Sequence, residues 1–326
     1  MSDKLTIQKL AKELSLSRST VHRALTNHQN VHPETRQKVL HAALKEGYMR
    51  HGYGKRNIAI LVPSFKFSGY LEFLLQYLEE EFHRRGCMIE LISMKDIELL
   101  GNYMFDGILS LAWKKGMEKT LPQKFAVPII TINASSNMLE SVPAIMSDPH
   151  GIRLALDYLH RRGCRRIFFI AGITENIPDA ALRLEEFRQF CMEIGQDFES
   201  MHRECDKPED IVSAIVEAKP DACFCAGENY AARVGLQLKK AGLRIPEDIS
   251  LMGLESNLVN ECFTPPITAV SQNFEQIAEI AAESMYQAIV NGIPPTCAMI
   301  PFRLIERESV RKPAGRLPKQ TAKQMK

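Results

Sequence analysis

Four hydrogen-bonding side chains lie on one side of a short helical pattern: Arg18, Ser19, His22 and Arg23. Val21, Ala24 and Leu25 take the opposite, inward positions, and Ser17 is placed to cap the first turn. Arg can donate two hydrogen bonds to guanine O6 and N7, and a helix-turn-helix presents such groups from the N-terminal half of its second helix. A small helical bundle with a solvated face has the same spacing, so this pattern alone leaves both interpretations open.

Two further helical patterns flank this segment and would position it. An apolar stripe at i, i+3, i+4 and i+7 begins at Ile7, directly after Thr6, whose side chain can cap the helix. After a loop at residues 27–30, a third pattern starts with Pro33 in the first helical position and ends at Gly47. The sequence therefore predicts three short helices around one small core.

The elements Ser-Thr-Val-His-Arg (19–23) and Glu-Thr-Arg (34–36) closely resemble the headpiece of the lactose-repressor (LacI/GalR) family, and the resemblance covers residues 5–48. It implies that Arg18, Ser19 and Arg23 read bases, and it places His22 and His32 where the family usually has Ser. Asn27 matches a family position near the DNA backbone. The full set expected at DNA is Thr6, Ser17, Arg18, Ser19, His22, Arg23, Asn27, His32, Arg50, Lys55 and Arg56.

The linker at residues 49–57 departs from the family pattern. Family members have a longer segment here that folds into a hinge helix on DNA and wedges a Leu into the minor groove. This linker is shorter, contains two glycines and has no Leu, so we do not expect a hinge helix. A simple basic tether is favoured over a phosphate or minor-groove arm built from Arg50, Lys55 and Arg56.

From residue 58 onward, strand-like runs alternate with helical patterns, which predicts βαβ units and parallel sheets. Strands are expected at residues 58–62, 88–93, 107–111, 129–132, 167–170, 222–225, 249–252 and 297–303, and helices at 70–85 and 152–162. The same region resembles the family's sensor, for example in Asp-Pro-His-Gly (148–151) and Pro-Glu-Asp-Ile-Ser (246–250). This implies an α/β, periplasmic-binding-protein-like domain at 58–310 with two Rossmann-like subdomains, one at about 58–163 and 272–297 and the other at about 164–271 and 298–310.

The resemblance also places candidate effector-binding residues. Arg183 keeps the family's Arg, while Glu228 and Glu255 carry carboxylates one methylene longer than the family's Asp residues, so a standard pyranose effector is not implied. Phe65 could stack on a ring. The full set is Ser64, Phe65, Asp148, Arg183, Glu228, Glu255, Gln272 and Phe274, and ordinary packing of the fold is the alternative for each.

Composition and charge limit the remaining possibilities. Residues 1–57 carry 11 Lys and Arg against 4 Asp and Glu, and residues 311–326 carry 6 against none, so with a net charge of +2 the body is acidic. A basic head on an acidic body favours an anionic partner at the head. The eight cysteines contain no Cys-x-x-Cys pair, which predicts free thiols, and neither a cofactor nor a metal is expected.

The expected protein is a cytoplasmic transcriptional regulator, with a repressor favoured. Its expected partners are double-stranded DNA carrying a pseudo-palindromic operator, a small-molecule effector that is a carbohydrate or a related metabolite, and a second copy in a homodimer, but no membrane. Residues 311–326 are expected to be a disordered basic tail. One alternative is a regulator whose sensor binds no ligand. An enzyme is disfavoured because no Walker, Gly-x-Ser-x-Gly or dinucleotide motif occurs, and a solute-binding protein because a headpiece is present and no signal-peptide pattern starts the chain.

Overall fold

A computed structural model describes residues 7–25, 28, 30–45, 56–65, 69–102, 105–112, 117–125, 127–133, 142–148, 150–173, 178–255 and 258–312. The predictions for Thr6, Asn27, Arg50, Lys55 and the tail beyond residue 312 lie outside these residues. The chain divides into two compact units, one made of Met1–Phe67, Leu74–Met146 and Glu275–Met299 and the other of Ser68–Phe73, Ser147–Phe274 and Ile300–Lys326. The chain therefore passes between the units several times.

Three helices form the headpiece: α1 (Ile7–Glu13), α2 (Arg18–Leu25) and α3 (Pro33–Lys45). Helix α1 ends because Ser15 takes a left-handed conformation (φ 54°), which lets the Leu16 amide donate to the Ala11 carbonyl over 2.9 Å. The predicted cap of α2 is confirmed, since Ser17 Oγ accepts a hydrogen bond from the Thr20 amide at 3.0 Å. The caps set the tight turn between α1 and α2.

The body alternates strands and helices throughout. Its first part contains β1 (Arg56–Val62), α4 (Tyr70–Arg84), β2 (Cys87–Ser93), a 3-10 helix (Met94–Asn102), β3 (Gly107–Ser110), α5 (Met117–Lys124), β4 (Ile129–Ile132) and β5 (Ala144–Ser147). Its second part contains α6 (Arg153–Arg161), β6 (Ile167–Ala171), α7 (Pro178–Ile194), β7 (His202–Glu204), a 3-10 helix (Pro208–Ile211), α8 (Val212–Ala218), β8 (Ala222–Cys225), α9 (Tyr230–Lys240), β9 (Ser250–Glu255), α10 (Val259–Cys262) and β10 (Thr268–Ser271). The chain closes with α11 (Phe274–Asn291), β11 (Ala298–Ile300) and β12 (Arg303–Ile305).

Two six-stranded sheets result, in the orders β11-β5-β4-β3-β1-β2 and β12-β10-β9-β8-β6-β7. In the first sheet, the neighbouring strands β2, β1, β3, β4 and β5 are all parallel. In the second sheet, β7, β6, β8, β9 and β10 are parallel, whereas β12 pairs antiparallel with β10. The central strands β6 and β8 are buried along their whole length. This burial on both faces explains their continuous apolar sequences and confirms the predicted parallel α/β class.

Several boundaries differ from the sequence prediction. The first subdomain was expected to extend to residue 163, but the compact units divide after Met146. The reason is that α6 buries Leu156 and Leu159 in the core of the second sheet. The run at 297–303 is also not one strand, because β11 and β12 belong to different sheets. The strands β5, β7 and β10, of four, three and four residues, were not predicted.

The cysteines of the second core are packed among apolar residues. Cys223 and Cys225 lie in β8 with no exposed surface. Burial raises the pKa of the Cys225 thiol and raises the pKa of the half-buried Cys205 thiol to about 11. Because the thiolate is the reactive form, Cys205 and Cys225 fit a packing role as free thiols.

The buried Ser309 side chain offers a test of the second core. Its hydroxyl accepts from the Thr268 amide at 2.8 Å and donates to the Leu251 carbonyl at 2.5 Å, and the residue has no exposed surface. We predict that Ser309→Ala lowers the free energy of unfolding by about 2 to 3 kcal/mol in urea denaturation, because it leaves two backbone groups unpaired. Ser213→Ala, at an exposed position of α8, is the control, and an equal loss in both variants would contradict the prediction.

Candidate nucleic-acid interface and effector site

The headpiece presents a polar face on α2. Arg18, Ser19, His22 and Arg23 are exposed, while the opposite face of the helix is buried with Val21 wholly inside. Arg18, Ser19 and His22 also line one open surface depression, together with Ile7 and Gln8 of α1. The structure thus brings together three of the predicted DNA residues.

Gln8 is a residue that the sequence prediction missed. It lies in the first turn of α1 and lines the same depression as Arg18 and Ser19. An amide side chain can donate to and accept from base edges or phosphates. The sequence shows that Gln8 is a polar residue beside the apolar stripe of α1. Its position next to the second helix depends on the turn between α1 and α2, which the sequence pattern does not specify.

The connection between α2 and α3 is held by a buried guanidinium. Arg36 is 8% exposed and its Nη2 donates to the His28 carbonyl at 2.6 Å. The Arg36 amide donates to the His32 carbonyl at 2.9 Å, so His32 begins α3 through its backbone while its ring stays exposed. Arg36 is therefore a positioning residue for the face that α2 presents.

Arg56 lies at the start of β1, not on a linker arm. Its guanidinium lies 5.4 Å from the centre of the Tyr286 ring. The next residue is anchored too, because the Asn57 amide donates to Asp106 Oδ2 at 2.7 Å. Burial raises the pKa of the Asp106 carboxyl, although the bond from Asn57 and the charge of Arg56 oppose that rise. Arg56 is held by the body, which favours the tether over the phosphate arm.

Two candidate effector residues lie near the carboxyl ends of β6 and β8. Arg183, in the first two turns of α7, is half-buried, and its Nη1 donates to the Ala226 carbonyl directly after β8. Glu228 is exposed two residues further on, and its carboxylate packs so close to Gly69 that no Cβ would fit there. A guanidinium and a carboxylate, one only a donor and the other an acceptor, can together hold a hydroxyl-rich ligand.

Asp148 and Gln272 lie where the chain passes between the two units. Gln272 Oε1 accepts from Ser147 Oγ at 2.8 Å. Asp148 Oδ1 accepts from the His150 amide at 2.9 Å, and the Asp148 amide donates to the Ile300 carbonyl at the same distance. These bonds tie the crossing segments to one another, so both residues have a structural role whether or not they also contact a ligand.

The aromatic candidates differ in their surroundings. Phe274 is buried, with ring centroids 5.4 Å from Tyr70 and 5.7 Å from Phe73. Phe65 is 58% exposed and Ser64 is half-buried. Phe274 thus fits the packing alternative, whereas the exposed ring of Phe65 keeps the stacking role that the sequence suggested.

Glu255 is engaged in a buried ion pair that the sequence did not reveal. Its two oxygens accept from Arg307 at 2.6 and 3.1 Å, and Asn260 Nδ2 donates to one of them at 3.0 Å. The side chains of Glu255 and Arg307 are only 9% and 13% exposed. An effector would have to compete with this pair, so the structure gives Glu255 a different role from the one predicted.

Comparison with known proteins agrees with this architecture. A model of the periplasmic binding protein-like domain matches residues 156–310. The sucrose operon repressor of Streptococcus mutans is 24% identical over 92% of this chain and 98% of its own length. The repressor CytR of Escherichia coli K12 is 25% identical over 82% of this chain and 84% of its own. A crystal structure of the lac repressor dimer bound to operator and the anti-inducer ONPF has a TM-score of 0.65 at 18% identity, covering 95% of this chain and 100% of that one.

A helix-turn-helix headpiece joined to two parallel α/β sheets defines a DNA-binding regulator with a sensor-type body. The headpiece motifs and the similarity to repressors over most of the chain agree on a more particular resemblance. The chain is similar to transcriptional repressors of the LacI/GalR type, and its residues 156–310 match the periplasmic binding protein-like domain. Within the described ranges, no helix is long and apolar enough to span a membrane, and no group of three His, Cys, Asp or Glu residues could hold a metal ion.

The buried pair of Arg307 and Glu255 gives a test of its structural role. We predict that Arg307→Met lowers the free energy of unfolding by about 3 to 5 kcal/mol, because it leaves a buried carboxylate without its counter-ion. Adding Glu255→Gln should recover part of the loss. Arg244→Met is the control, since it breaks the exposed pair with Asp248 and should cost much less, because solvent screens an exposed pair. Equal losses from Arg307→Met and Arg244→Met in urea denaturation would exclude the structural role.

Proposed function

We propose that this regulator is a cytoplasmic repressor that binds a pseudo-palindromic operator as a homodimer. Arg18, Ser19 and Arg23 read base edges, with His22 and Gln8 contributing nearby contacts. The observation that carries the proposal is the two-sided character of α2, whose apolar side is buried while its polar side stays exposed. A dimer presents two such helices, which makes the operator symmetric.

The charge distribution also supports contact with DNA through the headpiece. Residues 1–57 have a net charge of +7, whereas residues 58–310 contain 24 Lys and Arg against 35 Asp and Glu, a net charge of −11. Phosphate neutralisation supplies most of the sequence-independent affinity of such heads. Because DNA is negatively charged, most of the surface of the acidic body repels it, and contact through the headpiece is favoured.

The operator affinity is controlled by a small polar effector, a carbohydrate or a related metabolite, that contacts Arg183 and Glu228. Arg183 donates hydrogen bonds and Glu228 accepts them, so the pair matches a hydroxyl group on both counts. Two similar proteins support a small-molecule effector, since one is named for a sucrose operon and another was crystallised with an anti-inducer. Asp148 and Gln272 are the other polar candidates in the same unit as these two charges.

A regulator with a ligand-independent sensor is the second candidate. It is favoured by the internal engagement of Glu255 with Arg307, together with the burial of Phe274. Each of these removes a group that the sequence had assigned to effector binding. The two candidates share the DNA-binding headpiece and differ only in the response to small molecules.

The DNA-binding half is tested by selection from a random duplex pool with the purified full-length protein. We predict enrichment of one palindromic motif, and that Arg18→Ala weakens binding by about 1 to 3 kcal/mol with relaxed preference at one position of each half-site. Lys38→Ala, at an exposed site on α3, is the control. Failure to enrich any motif would refute operator reading, and a uniform loss across sequences would identify Arg18 as a phosphate contact.

The effector half is tested by a thermal-shift panel of mono- and disaccharides and nucleosides. A ligand at one hundred times its Kd should stabilise the wild type by about 2.7 kcal/mol, and Arg183→Ala should abolish the shift. Arg188→Ala, on an exposed turn of the same helix, should retain it. A panel without any stabilising compound would favour the ligand-independent sensor, whatever the DNA selection returns.

A further inference from the structure

Five basic side chains gather at the amino ends of β6, β8 and β9, and we call them the basic cap: Arg165, Arg166, Lys219, Arg311 and Lys312. Hydrogen bonds join their segments, because the Asp221 amide donates to the Arg166 carbonyl at 2.9 Å, the Ser250 amide donates to the Asp221 carbonyl at 3.0 Å and the Arg311 amide donates to Ser250 Oγ at 3.2 Å. Arg165, Arg166, Lys219 and Lys312 are exposed. The cap is therefore a contiguous surface of fixed backbone geometry.

The carboxylate at the centre of the cap is turned towards the backbone. Asp221 Oδ2 accepts from the Arg165 amide at 2.8 Å, and Oδ1 accepts from the Arg166 amide at 3.1 Å. Arg311 reaches the same residue, with its Nη2 donating to the Asp221 carbonyl at 2.7 Å. The same Nη2 lies 3.6 Å from Asp221 Oδ1, an ion pair, so this one carboxylate offsets one of the five positive charges of the cap and leaves an excess of positive charge.

The guanidinium groups of Arg165 and Arg166 are positioned by backbone carbonyls, which leave their charge in place. Arg166 Nη2 donates to the Ala218 carbonyl at 2.5 Å and Nε to the Lys219 carbonyl at 3.3 Å. Arg165 Nη1 donates to the His160 carbonyl at 2.9 Å. Backbone carbonyls restrict the motion of these side chains but carry no net charge, so the cap keeps an excess of positive charge on a body whose net charge is negative.

We propose that the basic cap is a second, sequence-independent contact for the phosphate backbone of duplex DNA. Preordered cations bind phosphates with little loss of side-chain entropy, and arginine forks fit phosphate oxygens. The chain continues from Lys312 with four more Lys and Arg residues and no acid up to residue 326, which extends the positive charge in sequence. The candidate effector residues follow the carboxyl ends of β6 and β8, so the cap serves neither base reading nor effector binding.

The test uses full-length protein in an Arg18→Ala/Arg23→Ala background, which weakens the headpiece contact. Binding to a duplex without operator sequence is measured by fluorescence anisotropy over a series of NaCl concentrations. The cap variant Arg166→Gln/Lys219→Asn/Lys312→Gln should lose about tenfold or more in affinity at low salt. Its slope of log K against log salt should be shallower by roughly 2 to 3, since three phosphate contacts are removed.

The control variant Lys207→Gln/Lys239→Gln/Lys240→Gln removes the same charge from exposed sites elsewhere in the second unit and should keep the affinity and the slope. Arg166→Lys, which keeps the charge, should also bind normally. Equal losses in the cap and control variants would overturn the proposal, as would an unchanged cap variant. Because the duplex lacks an operator, these results do not depend on whether the regulator selects a palindrome.

Discussion

Burial of the parallel strands on both faces is the constraint from which the organisation of the body follows. Strands such as β6 and β8 admit only apolar side chains along their length, and their backbone groups are paired with neighbouring strands. Within these strands charged groups are therefore excluded, and they lie at the strand ends and on the loops and helices that follow. Arg183 and Glu228 follow the carboxyl ends, while Asp221 and the basic cap occupy the amino ends.

The headpiece meets a different limit, because a unit of this size has little apolar surface to bury. Its described core consists of small and aliphatic residues such as Leu10, Val21 and Ala43. Local hydrogen bonds supplement this core, with Ser17 capping α2 and Arg36 holding the following connection. The polar face of α2 is what remains outside once its apolar side is buried, so folding and the proposed DNA recognition would use opposite sides of one helix.

Elements with a strong local signal could be predicted from sequence, and those fixed by distant contacts could not. The predicted strands at 129–132 and 222–225 match β4 and β8 residue for residue, because each is a short run of strand-forming residues bounded by turns. The amphipathic pattern of α6 shows which face is buried but not which sheet covers it, so the subdomain boundary was misplaced. Gln8 joins the candidate interface only through the turn between α1 and α2.

The pairing of Glu255 shows why the effector site was the least predictable part. Its partner Arg307 is 52 residues away and belongs to the segment after β12, so no local pattern links them. A carboxylate buried in this way needs a fixed counter-charge, and Arg307 supplies it through two hydrogen bonds. In the proposed function, recognition of an effector then falls to Arg183 and Glu228. Because a guanidinium only donates and a carboxylate only accepts, such a pair would select for hydroxyl groups, which do both, over purely apolar ligands.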